Sequence, residues 1–211
     1  MFNVIIMKKK PKLRIMVAGD FHGNKKAVEK LAEKSVKYKV DVVIITGDVT
    51  AFDIDRKGMI GPFLEKGKKV LFIGGNHDSK ETIEEIEKEY KIPNLQKYAV
   101  TINDVGFFGA GGGNIGINYV SDNEMFKAMK NGFNYVKNAK TKIMVTHVHP
   151  KGSLIEKFSF PGSEAVTKAI YELKPDIEVC GHIHELEGAV EVMGNTKIVC
   201  VGSSGKIIDI D

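Results

Sequence analysis

Short runs of apolar, mostly β-branched residues alternate along the chain with longer stretches in which apolar residues recur every three or four positions. Five of the runs are almost entirely apolar, as expected for strands that are covered on both faces of a sheet. They are LRIMVAG from position 13, VDVVIITG from 40, KKVLFIGG from 68, KIMVTH from 142 and DIEVCG from 176. This alternation is typical of a layered α/β domain.

Three of the longer stretches predict amphipathic helices, because their apolar residues fall on one helical face that can pack on a core. They cover residues 25–37, 121–139 and 163–173. Asn24 is a suitable N-cap for the first helix. Ser121 and Glu124 have the spacing of a capping box at the start of the second, and the third ends before Pro175.

Two further pairs of short apolar runs predict β-hairpins. YAVTI and VGFFG flank Asn103-Asp104, whereas GAVEVM and TKIVCV flank Gly194-Asn195, which is a two-residue turn signal. Together with the five buried strands, these hairpins predict an α/β (four-layer α+β) fold of two packed, mixed β-sheets flanked by helices. The glycine-rich stretch GAGGGNIG, residues 109–116, shows no periodicity and is interpreted as a mobile loop.

Each of the five predicted buried strands is followed by a cluster of polar residues. The clusters are GDFHGN at 19–24, GD at 47–48, GNHD at 75–78, THVH at 146–149 and GHIH at 181–184. Open α/β sheets bind ligands outside the carboxyl ends of their strands. All six histidines of the chain fall in these clusters, and clustered histidine and aspartate residues indicate a metal or catalytic site.

The kinds of side chain in the clusters narrow the choice of metal. Imidazole combined with carboxylate and amide oxygens suits Mn²⁺, Fe²⁺, Co²⁺, Ni²⁺ or Zn²⁺. In an extended segment, residues i and i+2 point to the same side, so both residues of Asp-x-His or His-x-His can reach one site. The plausible ligands are too many for one tetrahedral ion, which favours two ions that share a carboxylate, about 3.5–4 Å apart.

The five clusters resemble, in the same order, the motifs D-x-H, G-D, G-N-H-D/E, H and G-H-x-H of the calcineurin-like metallophosphoesterase family. The resemblance covers residues 13–211. The opening GDFHGN, the glycine-rich loop in the middle of the chain and the short length look most like the small Icc-related predicted phosphoesterases.

The resemblance implies two divalent metal ions, with Mn²⁺ favoured, and hydrolysis of a phosphomonoester or phosphodiester of a small molecule by a hydroxide that the ions generate from water. The implied ligands form two groups that share a bridging Asp48: Asp20, His22 and His184 for one ion, and Asn76, His147 and His182 for the other. His77 is expected to stabilise the phosphate and to protonate the leaving oxygen. Asp78 is expected to orient the His77 imidazole.

One position departs from the family pattern. Ala51 stands where the second motif often carries an acidic residue, and Asp53 and Asp55 follow it as possible substitutes. The departure argues against the protein serine/threonine phosphatase branch and leaves Asp48 unaffected.

Three residues are weaker candidates for substrate contacts. Asn24 is an N-cap first and a phosphate contact second. Asn114, with the three glycines before it, can offer backbone N–H groups to an anion. His149 has two open roles: it faces the substrate, or it caps the turn before Pro150.

Composition limits the alternatives. The net charge of +4 is only mildly basic, and no basic stripe is interleaved with aromatic residues, so a nuclease with the same two-metal site is an alternative rather than the first choice. A non-catalytic metal-binding scaffold is a second alternative. The presence of His77 and of every implied metal ligand argues against it. Cys180 and Cys200 are predicted to be buried core residues, with a disulfide between neighbouring strands as the minor alternative.

The segment before the first strand affects the expected location. No apolar run approaches the roughly 20 residues that span a bilayer, and the lysines at the N-terminus follow its apolar residues, the reverse of the order in a signal peptide. We therefore expect a cytoplasmic protein with an extended N-terminal segment over residues 1–12 and a single domain over 13–211. The oligomeric state cannot be predicted from the sequence.

Overall fold

The computed structural model describes residues 11–158 and 160–211. In chain order the elements are β1 (Leu13–Ala18), α1 (Lys25–Lys37), β2 (Val42–Ile45), α2 (Gly61–Glu65), β3 (Lys69–Phe72), α3 (Lys80–Tyr90), β4 (Val100–Ile102), β5 (Val105–Ala110), α4 (Asp122–Val136), β6 (Thr141–Thr146), α5 (Leu154–Lys157), α6 (Glu164–Leu173), β7 (Ile177–Cys180), β8 (Val190–Met193), β9 (Thr196–Cys200) and β10 (Lys206–Ile210). Apart from its last two residues, the predicted N-terminal segment 1–12 lies outside the described residues.

The strands form two mixed sheets, as predicted. The first sheet has the order β10-β1-β2-β3, in which β1, β2 and β3 run parallel and β10 is antiparallel to β1. The second has the order β4-β5-β6-β7-β9-β8, with four parallel central strands and an antiparallel strand at each edge. All five predicted buried strands and both predicted hairpins are confirmed.

Successive side chains of each strand point to opposite faces of its sheet, and both faces are apolar, so each sheet packs against the other sheet on one face and against helices on the other. In β1, Ile15 and Val17 belong to a cluster between the two sheets that also contains Phe107 of β5 and Val145 of β6. The alternate residues of β1 pack under α1, α2 and α3. The alternate residues of the second sheet pack under α4 and α6. The order helix, sheet, sheet, helix therefore follows from strands that are apolar on both faces.

The three predicted helices form as α1, α4 and α6. The Asn24 side chain accepts a hydrogen bond from Ala27 N (3.1 Å), which confirms the predicted N-cap. Both bonds of the Ser121–Glu124 capping box are present. The sequence pattern missed α3, since this helix is rich in Glu and Lys and buries only three side chains.

The interpretation of residues 109–116 as one loop is wrong for its first part. Gly109 and Ala110 belong to β5, and the three glycines that follow are buried. A Cβ at Gly109 would lie 2.0 Å from Val145 O in the adjacent strand. Glycine here reflects close packing of two backbones, which a sequence pattern does not separate from loop composition.

Cys180 and Cys200 are both buried and free, as predicted for core residues. They occupy facing positions of the neighbouring strands β7 and β9. None of the helices in the described part of the chain has the length and apolar character of a membrane-spanning segment.

A glutamate lies on the helix-facing side of the second sheet. Glu178 in β7 is fully buried, and burial raises its pKa to about 8, so that it is protonated at neutral pH. Its Oε1 lies 2.5 Å from Thr146 Oγ1, which lies 2.8 Å from Val148 O. The threonine hydroxyl has a single proton to donate, so a protonated Glu178 satisfies both contacts by donating to Thr146, which then donates to Val148.

Replacement of Glu178 by glutamine is expected to raise the free energy of unfolding at pH 8 by roughly 4 kcal/mol. Because the folded pKa of about 8 exceeds the ordinary 4.5, unfolding releases this proton between those two values. Stability therefore falls as the pH rises through this range, by about 1.4 kcal/mol per pH unit. Glutamine keeps a donor to Thr146 without that cost.

Urea unfolding at pH 5 and pH 8 measures the difference. The exposed Glu29→Gln is the matched control and should leave the pH dependence unchanged. An equal loss of stability between the two pH values in the parent protein and in Glu178→Gln would contradict a protonated Glu178.

Candidate active site

The loops after β1, β2, β3, β6 and β7 meet on one side of the molecule, although the strands belong to two different sheets. Their side chains form three overlapping groups, within each of which the ligand atoms lie no more than 4.8 Å apart: Asp20, His22 and His184; His22, Asp48 and His77; and Asp48, His147 and His182. All of the histidine and aspartate ligands implied by the sequence are thus brought together.

Asp48 lies at the centre of the site. Its Oδ2 is 3.4 Å from Nε2 of His147 and 3.7 Å from Nε2 of His22, so this one oxygen reaches both sides. Its Oδ1 accepts a hydrogen bond from the backbone N–H of His77 (2.9 Å). The carboxylate is almost fully buried, and the backbone bond fixes its orientation.

The contacts of His147 fit a bound cation. Its Nδ1 lies 2.8 Å from the carbonyl oxygen of Thr46, which only accepts, so Nδ1 carries the proton. In the neutral ring, Nε2 then presents a lone pair to Asn76 Oδ1 at 2.8 Å and to Asp48 Oδ2 at 3.4 Å. Three electron-rich atoms this close require a proton or a metal ion between them. A histidine that donates its other N–H to a backbone carbonyl is the usual arrangement of a metal ligand.

On the other side of Asp48, potential metal ligands are also crowded together. Nε2 of His22 lies 3.1 Å from Nε2 of His184. Both oxygens of Asp20 accept from the backbone N–H of His182 at 3.1 Å, which ties the first loop to the last. Taken over both sides of the site, the donor set of imidazole, carboxylate and amide oxygen suits first-row divalent ions.

The pKa values reflect crowding of buried groups. Burial raises the pKa of Asp20 to about 6 and lowers that of His182 to about 3. Burial also opposes ionisation of Asp48 and His147, but their mutual attraction outweighs it. The pKa of Asp48 lies well below its ordinary value, and that of His147 rises to about 9. In the absence of a metal, a proton on His147 therefore occupies the place that suits a cation.

The backbone of the site is strained. Four candidate ligands have a left-handed backbone: Asp20 (φ 52°), His22 (φ 44°), Asp48 (φ 48°) and His182 (φ 74°). Such conformations cost on the order of 1 kcal/mol each and are retained where they place functional groups. At Gly47 (φ 100°), a Cβ would lie 2.8 Å from Nδ1 of His147, so the close approach of these loops requires glycine.

Residues 13–186 match the model of the calcineurin-like phosphoesterase family. The chain belongs to this family. The family typically binds divalent metals, in agreement with the donor set of the site. No curated protein matches the chain.

Solved structures similar to this chain share its fold at low sequence identity. TT1561 of Thermus thermophilus is 15% identical, with a TM-score of 0.76 over 94% of this chain and 99% of that protein. A dimetal phosphatase from Danio rerio is 10% identical, with a TM-score of 0.64 over 95% and 93% of the two chains. An archaeal phosphodiesterase is 18% identical, with a TM-score of 0.52 over 90% and 84%. These likenesses concern the fold.

The predicted role of Asp78 in orienting His77 is wrong. The buried Asp78 carboxylate instead accepts from the backbone N–H groups of Val49 (3.1 Å), Thr50 (2.8 Å) and Gly75 (2.9 Å) and from the Thr50 hydroxyl (2.8 Å). Three of these bonds join the loop after β2 to the loop after β3, and the bond from Gly75 N lies within the loop after β3. The acidic residue of the G-N-H-D motif in this chain therefore ties two loops together, which motif spacing alone does not reveal.

Asp78→Asn is expected to lower the free energy of unfolding by about 2–4 kcal/mol, because an amide retains one acceptor oxygen and turns two donors toward N–H groups. Metal affinity should fall as well, since Asp48 and Asn76 lie on the two joined loops. Thermal unfolding and metal titration measure both effects.

Asp104→Asn, on the exposed turn between β4 and β5, is the matched control for that change. If Asp78→Asn left stability and metal affinity intact and lowered only kcat, the predicted role in orienting His77 would be restored.

His77 itself makes few polar contacts. Its ring meets His22 edge-on, with centroids 4.8 Å apart, and stacks on Phe52 at 4.1 Å. Its Nδ1 is buried and has no hydrogen-bond partner among the residues that the structure describes. The ring is thus held by packing and keeps its nitrogen capacity for a ligand.

The weaker substrate candidates fare differently. His149 is buried, and its Nε2 donates to Phe160 O (2.9 Å), which favours a structural role over a substrate contact. The bonded carbonyl lies after Pro150 in the chain, so this contact is not the predicted cap of the turn before Pro150. Asn24 is occupied as an N-cap. Asn114 is exposed on the loop after β5. Substrate contacts by Asn24 and Asn114 stay predictions.

The proposed anion-binding backbone before Asn114 is wrong. The N–H groups of Gly111, Gly112 and Gly113 already donate to Gln96 Oε1, Gly74 O and Asn118 O. The bond from Gly112 fastens this segment to the loop after β3, and none of the three N–H groups is free to hold an anion.

Sequence reasoning missed two groups at the site. The Thr46 carbonyl fixes the orientation of the His147 ring. A contact made by a backbone atom cannot be recognised from the identity of the residue. Phe52 was overlooked because a single aromatic residue in a loop has no motif. Asp53, considered as a substitute for the acidic position at Ala51, instead accepts from the N–H of Ser79 (2.8 Å), where α3 begins.

Proposed function

We propose that this chain is a binuclear metal-dependent phosphoesterase that hydrolyses a phosphomonoester or phosphodiester of a small molecule. The observation that carries the proposal is the pair of ligand groups on either side of the shared Asp48 carboxylate. Family membership supports the class of reaction, and the opposed lone pairs around His147 support a cation at that position.

The two ligand groups divide as follows. Asp20, His22 and His184 would hold one ion, and Asn76, His147 and His182 the other, with Asp48 between them. When bound, two divalent ions polarise the phosphoryl oxygens and lower the pKa of water enough to supply the nucleophile near neutral pH. Mn²⁺ is our first choice among the ions that this donor set suits.

We assign protonation of the leaving group to His77. Its ring lies beside the site, within 4.8 Å of the ligand atoms of His22 and Asp48, and the described residues leave its Nδ1 without a partner. A histidine in this position can act as a general acid that donates a proton to the leaving oxygen as the P–O bond breaks. The packed rings of His22 and Phe52 hold this imidazole in place.

A panel of esters and metals tests the proposal. Metal-free protein is reconstituted with Mn²⁺, Ni²⁺, Co²⁺ or Zn²⁺ and assayed with p-nitrophenyl phosphate and bis(p-nitrophenyl) phosphate. We expect hydrolysis that requires metal, and the ratio of the two rates assigns monoesterase or diesterase preference. Absence of hydrolysis with every metal would reject the proposed function.

A further inference from the structure

An exposed aromatic ring lies against the candidate catalytic histidine. The ring of Phe52 stacks on that of His77, with centroids 4.1 Å apart and planes inclined by 28°. Phe52 is nevertheless 54% exposed. One part of the ring thus contacts His77, and the rest is open to solvent beside the site.

We propose that Phe52 is a stacking platform that selects phosphate esters whose leaving group carries a flat aromatic ring. The proposal rests on the proposed function, since it concerns the substrate of the same site. It assigns a substrate class to a residue that belongs to none of the metal-binding clusters.

The backbone conformation of Phe52 argues against an accidental placement. Phe52 and the following Asp53 have φ values of 53° and 65°, the left-handed region that bulky residues rarely adopt. A bulky apolar residue in this conformation costs stability, and little burial compensates at an exposed position. Strain of this kind is concentrated at ligand-binding and catalytic sites.

The turn that carries Phe52 is anchored on both sides. Ala51 and Ile54 exchange backbone hydrogen bonds across it, at 3.4 and 3.2 Å. The backbone N–H of Asp53 donates to the Thr50 hydroxyl (3.1 Å), and its carboxylate accepts from Ser79 N (2.8 Å). Because these bonds fix the turn, the aromatic ring is already in position before a substrate arrives, which lowers the entropic cost of binding.

The ring also lies where a leaving group would pass. His22, His77 and Phe52 form a column of rings that leads outward from the ligand groups, with an edge-on contact followed by a stacked one. If His77 protonates the leaving oxygen, the group attached to that oxygen lies next to the outer ring of the column. Stacking between aromatic rings then favours a flat aromatic group over an alkyl group by about 3- to 10-fold in affinity.

Calorimetric titration of the Mn²⁺-loaded protein with phenylphosphonate and methylphosphonate tests this inference, because neither compound contains an ester bond to hydrolyse. We expect phenylphosphonate to bind about 5-fold tighter. Phe52→Asn should remove this preference and should fold, since asparagine tolerates the left-handed region better than other residues with a side chain. Phe52→Tyr keeps a ring and should retain the preference.

Tyr135→Asn removes an aromatic ring that is 85% exposed on α4 and serves as the matched control. Equal affinities of the parent protein for the two phosphonates, or a preference that survives in Phe52→Asn, would overturn the inference. Neither result affects the proposed function, which the hydrolysis assay judges. Conversely, tighter binding of phenylphosphonate without any ester hydrolysis would reject the proposed function but still support Phe52 as a stacking platform.

Discussion

Asp48→Asn is expected to lower kcat/KM for a phosphate ester by about 1,000-fold or more, equivalent to about 4 kcal/mol of transition-state stabilisation. One oxygen of Asp48 reaches both His22 and His147, at 3.7 and 3.4 Å, and no other side chain in the described residues has this position. The amide oxygen of asparagine can still accept from His77 N, so the loop keeps its shape. The NH₂ group of the asparagine, however, takes the place of Oδ2 and cannot bind a cation.

The variant should also retain fewer than two metal ions after dialysis, as measured by elemental analysis of the purified protein. Asp55→Asn, an exposed aspartate that follows on the same segment, is the matched control and should match the parent in both rate and metal content. Parent-like metal content in Asp48→Asn, together with a parent-like rate, would exclude a bridging carboxylate at this position.

His77→Ala should lower kcat by about 100- to 10,000-fold, the usual contribution of a general acid, while both metal ions stay bound. His77 is in contact with His22 and Phe52, but the ligand groups on either side of Asp48 are complete without it. The loss should be greater for an ester of an alkyl alcohol than for a nitrophenyl ester. An alkoxide leaves poorly without a proton, whereas nitrophenolate leaves readily.

Comparison of the two esters separates proton donation from a loss of site structure. The same fold-reduction for both esters, or release of metal from His77→Ala, would contradict general acid catalysis by this histidine.

The position of the site could be predicted because it depends on short-range patterns and on sheet topology. Strands that are apolar on both faces are recognisable in the sequence, and the residue after each strand lies at the carboxyl edge of a parallel sheet. Asp20, Asp48 and Asn76 follow the three parallel strands of one sheet, while His147 and His182 follow two strands of the other. The packing of the sheets against each other brings the two edges together.

The roles of individual polar groups could not be predicted in the same way. Asp78 is next to His77 in the sequence, which suggested a direct contact, but the turn directs its carboxylate toward backbone N–H groups, two of which belong to another loop. The glycines before Asn114 have the composition of an anion-binding loop, yet their N–H groups are already bonded. Loop conformation decides both cases, and it depends on contacts between segments far apart in the chain.

Helix α3 illustrates the limit of periodicity. Its stripe consists of Thr82, Ile83 and Ile86, too few apolar positions to stand out in a segment of charged residues. The helix forms because Ser79 caps its first turn, accepting from Thr82 N at 3.1 Å, and because Asp53 in turn fixes Ser79 N. This second contact comes from another loop and is not visible in the local sequence.

Anomalous diffraction from crystals of the Mn²⁺-loaded protein tests the central claim most directly. We predict two manganese peaks per chain, about 3.5–4 Å apart, one beside Asp20, His22 and His184 and the other beside Asn76, His147 and His182, with Asp48 between them. A single peak, or peaks away from these side chains, would contradict a two-metal site built from the five strand ends.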